Sequence, residues 1–337
     1  MTWFSPRLDD MTDRTIYIAC ASDKNFVMPL TVMLVSLFTH LDQSRKAVVY
    51  ILDGGISTLG RNNLLKSLKA KNADIRFIKI SDHNPLNGMI VSGHISIASY
   101  YRLMIPSLVP ENIKKIIYLD ADLILNADIA RLWDIDIAEK DVLAVQDQAK
   151  DFLYVSSPGG LLNYKELGLN PANKYFNAGV LVMNLDNWRK DSLSQKVIEY
   201  IQENRKYIRW WDQDGMNAVL ANKWGELDHR WNLVINIFLN PTWEQGPVKD
   251  KKQYDELVGH PYIVHFVYRD KPWKYGYKYP YLDLFINYLA RTPWYWPWKI
   301  RMCCEHVLRP IKRFIVLRIK EFNANISQMS GLRNNLF

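Results

Sequence analysis

The chain has 337 residues, 48% hydrophobic and 23% charged, with a formal net charge of +8. That composition excludes a disordered or fibrous chain and suffices for one large core or two ordinary ones. The charge is localised, because nine Lys/Arg against two Glu follow from Arg291 onward and carry seven of the eight net charges.

The N-terminal stretch "MTWFSPRLDDMTDR" has no basic start followed by an apolar core, and the nearby run "MPLTVMLVSLF" is too short to span a bilayer. Cys20, Cys303 and Cys304 form no C-x-x-C pair, which excludes a disulfide framework and a thiolate metal site and fits a reducing compartment. The expectation is a cytoplasmic protein without a transmembrane helix.

Strand and helix signals then alternate at the spacing of an α/β sheet. "TIYIACAS" (15–22) reads as a strand and is followed by a helix from Phe26 to His40. "AVVYILDGG" (47–55) repeats the sign before a helix capped by Ser57. "DIRFIKI" (74–80) alternates like a strand, "SIASYYRLMIPSLV" predicts a helix closed by Pro110, and "KKIIYLDADLILN" predicts the fourth strand. A further strand, "DVLAVQD", follows at 141–147, and residues 14–285 read as one domain. In such sheets ligands bind where strands end, which directs attention to "ASDKNF" and "DAD".

Residues two apart on a strand share a side, so Asp120 and Asp122 converge while Ala121 faces away. Two unpaired buried carboxylates cost on the order of several kcal/mol each, so a positive charge is expected between them. A divalent cation with oxygen ligands supplies it. The alternative is a strand that stops at Asp120 and leaves both acids solvated in a turn. No G-x-x-x-x-G-K-[ST] or G-x-G-x-x-G is present, so a diphosphate would be held by metal rather than by a glycine cradle.

The ordered set "ASDKNF", "HISIASYYRL", "YLDADLIL", "YFNAGVLVMNLDNWR", "WDQD" and "HFVYRDKPW" resembles glycosyltransferase family 8, particularly its bacterial lipopolysaccharide and lipooligosaccharide galactosyl- and glucosyltransferases. The likeness spans about residues 15–275. It implies a GT-A fold, with a single Rossmann-like mixed sheet flanked by helices. It also implies a UDP-hexose donor, Mn²⁺ with Mg²⁺ as the alternative, and transfer with retention.

Carried over position by position, Asp120, Asp122 and His265 become the metal ligands, a trio that Mn²⁺ accepts. Ala21, Asp23, Asn25 and Phe26 surround the uracil and ribose. Arg102, Ala121, Asp147, Asn177 and Ala178 contact the donor, and Lys271 meets the diphosphate. Tyr268 stands where the family has glycine. Asp212 and Gln213 become the catalytic pair, with Gln213 opposite the leaving phosphate. Because Gln is a poor nucleophile, front-face substitution is expected, with Asp212 as the runner-up nucleophile.

"RTPWYWPWKIRMCCEHVLRPIKRFIVLRIK" opens a basic, aromatic C-terminal segment, taken as 286–337. On a helical wheel Val307, Leu308, Ile311, Phe314 and Ile315 share a face opposite Arg309, Lys312, Arg313 and Lys320. Such a helix lies in the headgroup region of an anionic membrane, or docks on the catalytic domain with a solvated basic face. A nucleic-acid partner is not expected. The family resemblance implies a saccharide or lipid-linked saccharide acceptor at the inner face of the cytoplasmic membrane. Two other readings stand beside this one: a self-glucosylating glycogen primer-like enzyme, and a non-catalytic nucleotide-sugar-binding protein.

Overall fold

The computed structural model of the chain describes residues 15–69, 73–80, 85–86, 88–89, 96–267, 269–309 and 319. The expected extension over 1–13, Tyr268 and most of the expected tail helix, Ile311, Lys312, Arg313, Phe314, Ile315 and Lys320 among it, lie outside the described residues.

Three strands, β1 (Thr15–Ser22), β2 (Lys46–Asp53) and β3 (Ala73–Lys79), run parallel and alternate with the helices Val27–His40 and Thr58–Leu68. The chain continues through β4 (Lys115–Leu119), β5 (Leu123–Leu125), β6 (Val142–Gln146), β7 (Phe176–Asn184), β8 (Trp224–Glu226), β9 (Leu233–Val234) and β10 (Ile263–His265). Seven strands form a mixed sheet in the order β3-β2-β1-β4-β7-β6-β8, and β5-β10-β9 form a small second one. β7 runs antiparallel to both β4 and β6.

Burial on both faces explains why β1, β2, β4, β6 and β7 read as largely continuous apolar runs, whereas the edge strand β3 alternates. Ile16, Ile18 and Cys20 of β1 join Ala47, Val49 and Ile51 of β2 in one cluster. The alternate residues Ala19, Ala21, Val48, Tyr50 and Leu52 enter the cluster on the other face. The helix Val27–His40 is apolar all round and almost wholly buried, as that pattern requires. Its two buried hydroxyls, Thr31 and Ser36, donate to Val27 O and Met33 O within the helix.

Two expected elements take a different form. The run "KKIIYLDADLILN" is not one strand: β4 ends at Leu119 in the large sheet, and β5 begins at Leu123 in the small one. The helix expected over 96–109 is a 3₁₀ helix, Ile97–Met104, followed by a short α-helix, Ile105–Leu108. Pro106 sits in the first turn of the second piece, where its missing N–H costs nothing, so it starts a helix instead of continuing one.

The helix Leu282–Leu289 runs through position 285 without a break and buries Phe285 and Leu289 in the core. Residues 295–309 are helical. Trp294, Tyr295 and Trp298 pack against the core, whereas Trp296, Ile300, Val307 and Leu308 are exposed. Among the described residues no helix is long and apolar enough to cross a membrane.

Candidate active site

Five chain segments deliver their ends to one crevice: the C-terminal ends of β1, β4, β6 and β10, and the first residues of the antiparallel β7. They line a cavity of about 370 Å³, a size typical of small-molecule sites. Fourteen of the sixteen residues singled out from sequence line it: Ala21, Asp23, Phe26, Arg102, Asp120, Ala121, Asp122, Asp147, Asn177, Ala178, Asp212, Gln213, His265 and Lys271. Asn25 is exposed and does not line it; its backbone N–H donates to Asp23 Oδ1 at 2.7 Å in a tight turn before the helix.

Asp120 and Asp122 sit in the turn between β4 and β5, pinned by the backbone. Asp120 N donates to Gly179 O at 2.9 Å, and Phe266 N donates to Asp122 O at 3.0 Å. The strand does stop, yet the acids are not solvated, since their side chains are only 23% and 11% exposed. With His265 they offer three ligand atoms within 4.8 Å of one another. His265 Nε2 lies 3.3 Å from Asp122 Oδ1 and 3.7 Å from Asp120 Oδ2.

The orientation of that imidazole follows from its neighbours. Asn232 Nδ2 donates to Asn177 Oδ1 at 2.9 Å, so the Asn232 group 3.0 Å from His265 Nδ1 is its acceptor oxygen. An Nδ1–H bound there leaves an Nε2 lone pair facing two carboxylates, an arrangement that calls for a cation among the three. Gly179 makes the room: a Cβ at that position would lie 2.1 Å from His265 Cε1 and 3.0 Å from Asp120 Oδ2. The donor set and its cradle fit a divalent ion of the Mn²⁺ or Mg²⁺ kind.

Two buried cations balance the acids. Lys271 Nζ lies 2.5 Å from Asp122 Oδ2 and donates to Phe266 O at 2.6 Å. Burial pushes the Asp122 carboxyl up, but the Lys271 ammonium opposes it, and the group is held well below the usual carboxylate range. Arg102 is 5% exposed, stacks 4.4 Å over the Tyr118 ring, and donates from Nη2 to Asp120 Oδ1 at 2.8 Å and from Nη1 to Ala178 O. The 3₁₀ turn places Ser99 O under its Nε at 2.9 Å.

Arg102 Nε also lies 2.9 Å from Asp212 Oδ2, but its N–H points to Ser99, so Asp212 Oδ2 is a buried oxygen with an ion-pair partner and no hydrogen bond. Burial pushes the Asp212 carboxyl up to about 6; Arg102 opposes this and Asp120 adds to it. Gln213 is held at its amide, where Ala178 N donates to Oε1 at 3.1 Å. Asp147 is buried with Asn177 Nδ2 3.2 Å from its Oδ2, and burial raises its carboxyl.

Sequence reasoning missed several participants. Tyr118, which donates to Asp120 Oδ1 at 2.8 Å, and Gly179 and Asn232 are visible only once distant segments meet. Phe152, Trp210 and Trp211 add an aromatic wall. Trp211 has φ +50, a strained value for a bulky residue, and the buried Asp214 sustains the turn by accepting from Arg209 N, Trp210 N and Tyr175 Oη. The tandem "WW" before "DQD" was the available signal.

The family model described as glycosyl transferase family 8 matches residues 17–276. General stress protein A of Bacillus subtilis is 35% identical over 285 residues, covering 84% of this chain and 96% of the relative. Lipopolysaccharide 1,3-galactosyltransferase of Salmonella typhimurium is 24% identical over 285 residues, covering 82% and 78%. The crystal structure of the galactosyltransferase LgtC with donor and acceptor sugar analogs superposes with a TM-score of 0.69 at 25% identity, covering 82% of this chain and 96% of that one. The large sheet flanked by helices is thus the GT-A fold, and the chain belongs to glycosyltransferase family 8.

Proposed function

We propose that the chain is a retaining hexosyltransferase that moves galactose or glucose from UDP-hexose to a saccharide acceptor of lipopolysaccharide or a related surface glycan. The observation that carries this reading is the Asp120, Asp122 and His265 trio, which lines the same cavity as Lys271, Asp212 and Gln213. The trio would hold Mn²⁺ or Mg²⁺, which supplies Lewis-acid charge to the diphosphate of the donor.

The chain's own residues do the rest. Ala21, Asp23 and Phe26 take the base and ribose at the end of β1, while Arg102, Asp147, Asn177 and Ala178 hold the hexose. Lys271 places its ammonium against the charge that develops on the leaving phosphate, where a fixed cation in a dry site is most effective. Gln213, tied to Ala178 N, offers an amide and no nucleophile at the anomeric carbon. Front-face substitution follows: the C1–O bond to the phosphate breaks, the acceptor oxygen bonds C1 on the same face, and its proton passes to a phosphate oxygen. Asp212, ionised above about 6 and buried beside Arg102, stabilises the cationic sugar. The exposed Trp296, Ile300, Val307 and Leu308 support a peripheral seat on the inner face of the cytoplasmic membrane.

The test is incubation with UDP-galactose or UDP-glucose and Mn²⁺, with the first-formed product followed by NMR. The α-hexose product, lost on chelation and restored by Mn²⁺, is expected. A β-product, or undiminished turnover in chelator, overturns the reading.

A further inference from the structure

A second cavity, of about 820 Å³, adjoins the first, and Arg269 lines both. Arg269, Lys274, Lys278 and Arg309 supply four cations to its wall, against the single lining carboxylate of Asp270. Two remote segments build it: the loop following β10 and the helical residues 295–309.

These cations are exposed, but local contacts tie two of them to the loop and the helix. Arg309 Cζ stands 4.8 Å over the Tyr275 ring, and Tyr275 Oη lies 3.1 Å from His306 Nδ1, so the loop and the helix hold each other. Gly276, at φ +88, turns the loop in the left-handed region beneath Arg309. Lys274 Nζ donates to Arg269 O at 3.2 Å. Arg309 shares its charge with Glu305 at 3.3 Å, but neither Lys274 nor Lys278 forms an ion pair among the described residues. Set against Asp270 and Glu305, the four cations leave the wall net positive, which an anion with several oxygens complements.

We propose that this cavity is a second anion site, separate from the metal and donor diphosphate, and that it takes a phosphate ester or diphosphate on the carrier end of the acceptor. Arg269 lines both cavities, which sets this site beside the one that holds Asp212 and Gln213. The Arg269 wall shared with that cavity favours the acceptor's own phosphate over a headgroup of the bulk membrane. The proposal rests on the glycosyl-transfer reading, but its binding test needs no turnover, so the two can fail separately.

The experiment is calorimetric titration of geranyl diphosphate into the full chain with the donor site filled by UDP and Mn²⁺. It is run on the wild type and on Lys274→Glu/Lys278→Glu, two exposed positions outside the first cavity. Vesicles of phosphatidylcholine with and without phosphatidylglycerol form the second arm. The expected result is salt-sensitive binding of geranyl diphosphate, weakened about tenfold or more in the variant, with vesicle binding unchanged. Equal diphosphate binding by both proteins overturns the proposal. Loss of vesicle binding alone in the variant also overturns it, and assigns the cations to the membrane.

Discussion

Asp212 is buried beside Asp120, with one oxygen that no hydrogen bond reaches. Its carboxyl rises from 3.8 to about 6, so the unfolded chain ionises first as pH climbs. The folded state therefore loses stability across that window, fully retaining it below about 4 and having lost up to about 3 kcal/mol above about 6. Asp212→Asn cannot ionise. Melting temperatures of the two proteins are expected to coincide near pH 4 and to diverge in the variant's favour by pH 8, while transfer by the variant falls at least about 100-fold. A variant less stable at pH 8 would mean that Arg102 fully compensates the buried charge. The acid pair at 120 and 122 was legible in sequence because carboxylates inside an apolar run demand a counter-charge. The Asn232 and Gly179 supports were not, since a neutral amide and a glycine bear no mark of function until the fold sets them against His265.

At the scale of elements, alternating apolar residues revealed that strands and helices follow one another, but not which sheet a strand joins. β4 and β5 read as one run because both are buried on either side of the turn, and only pairing with β7 or β10 separates them. That break creates the site, because it lets the backbone turn the two acids toward His265. The same limit applies to the C-terminal segment, whose wheel pattern did not show that Trp294, Tyr295 and Trp298 pack inward while Trp296 and Ile300, 65% and 62% exposed, face out. Trp296→Ser/Ile300→Ser is expected to leave the melting temperature unchanged and to weaken binding to phosphatidylglycerol vesicles about tenfold, measured by co-sedimentation. Unchanged sedimentation would reject the membrane seat for this face.

In the whole molecule, a parallel α/β half and an antiparallel half meet so that the end of β4 brings the acids, β1 ends beside them at Ala21, and β7 brings Gly179. The small sheet delivers His265, and the loop beyond it delivers Lys271. The proposed function requires that Asp120, Asp122 and His265 hold a divalent ion on which donor diphosphate binding depends. Calorimetric titration of UDP, with and without Mn²⁺, into the wild type and Asp122→Asn tests it most directly. Tight UDP binding only by the wild type, and only with Mn²⁺, is the predicted result; equal UDP affinity without metal, or in the variant, would contradict it.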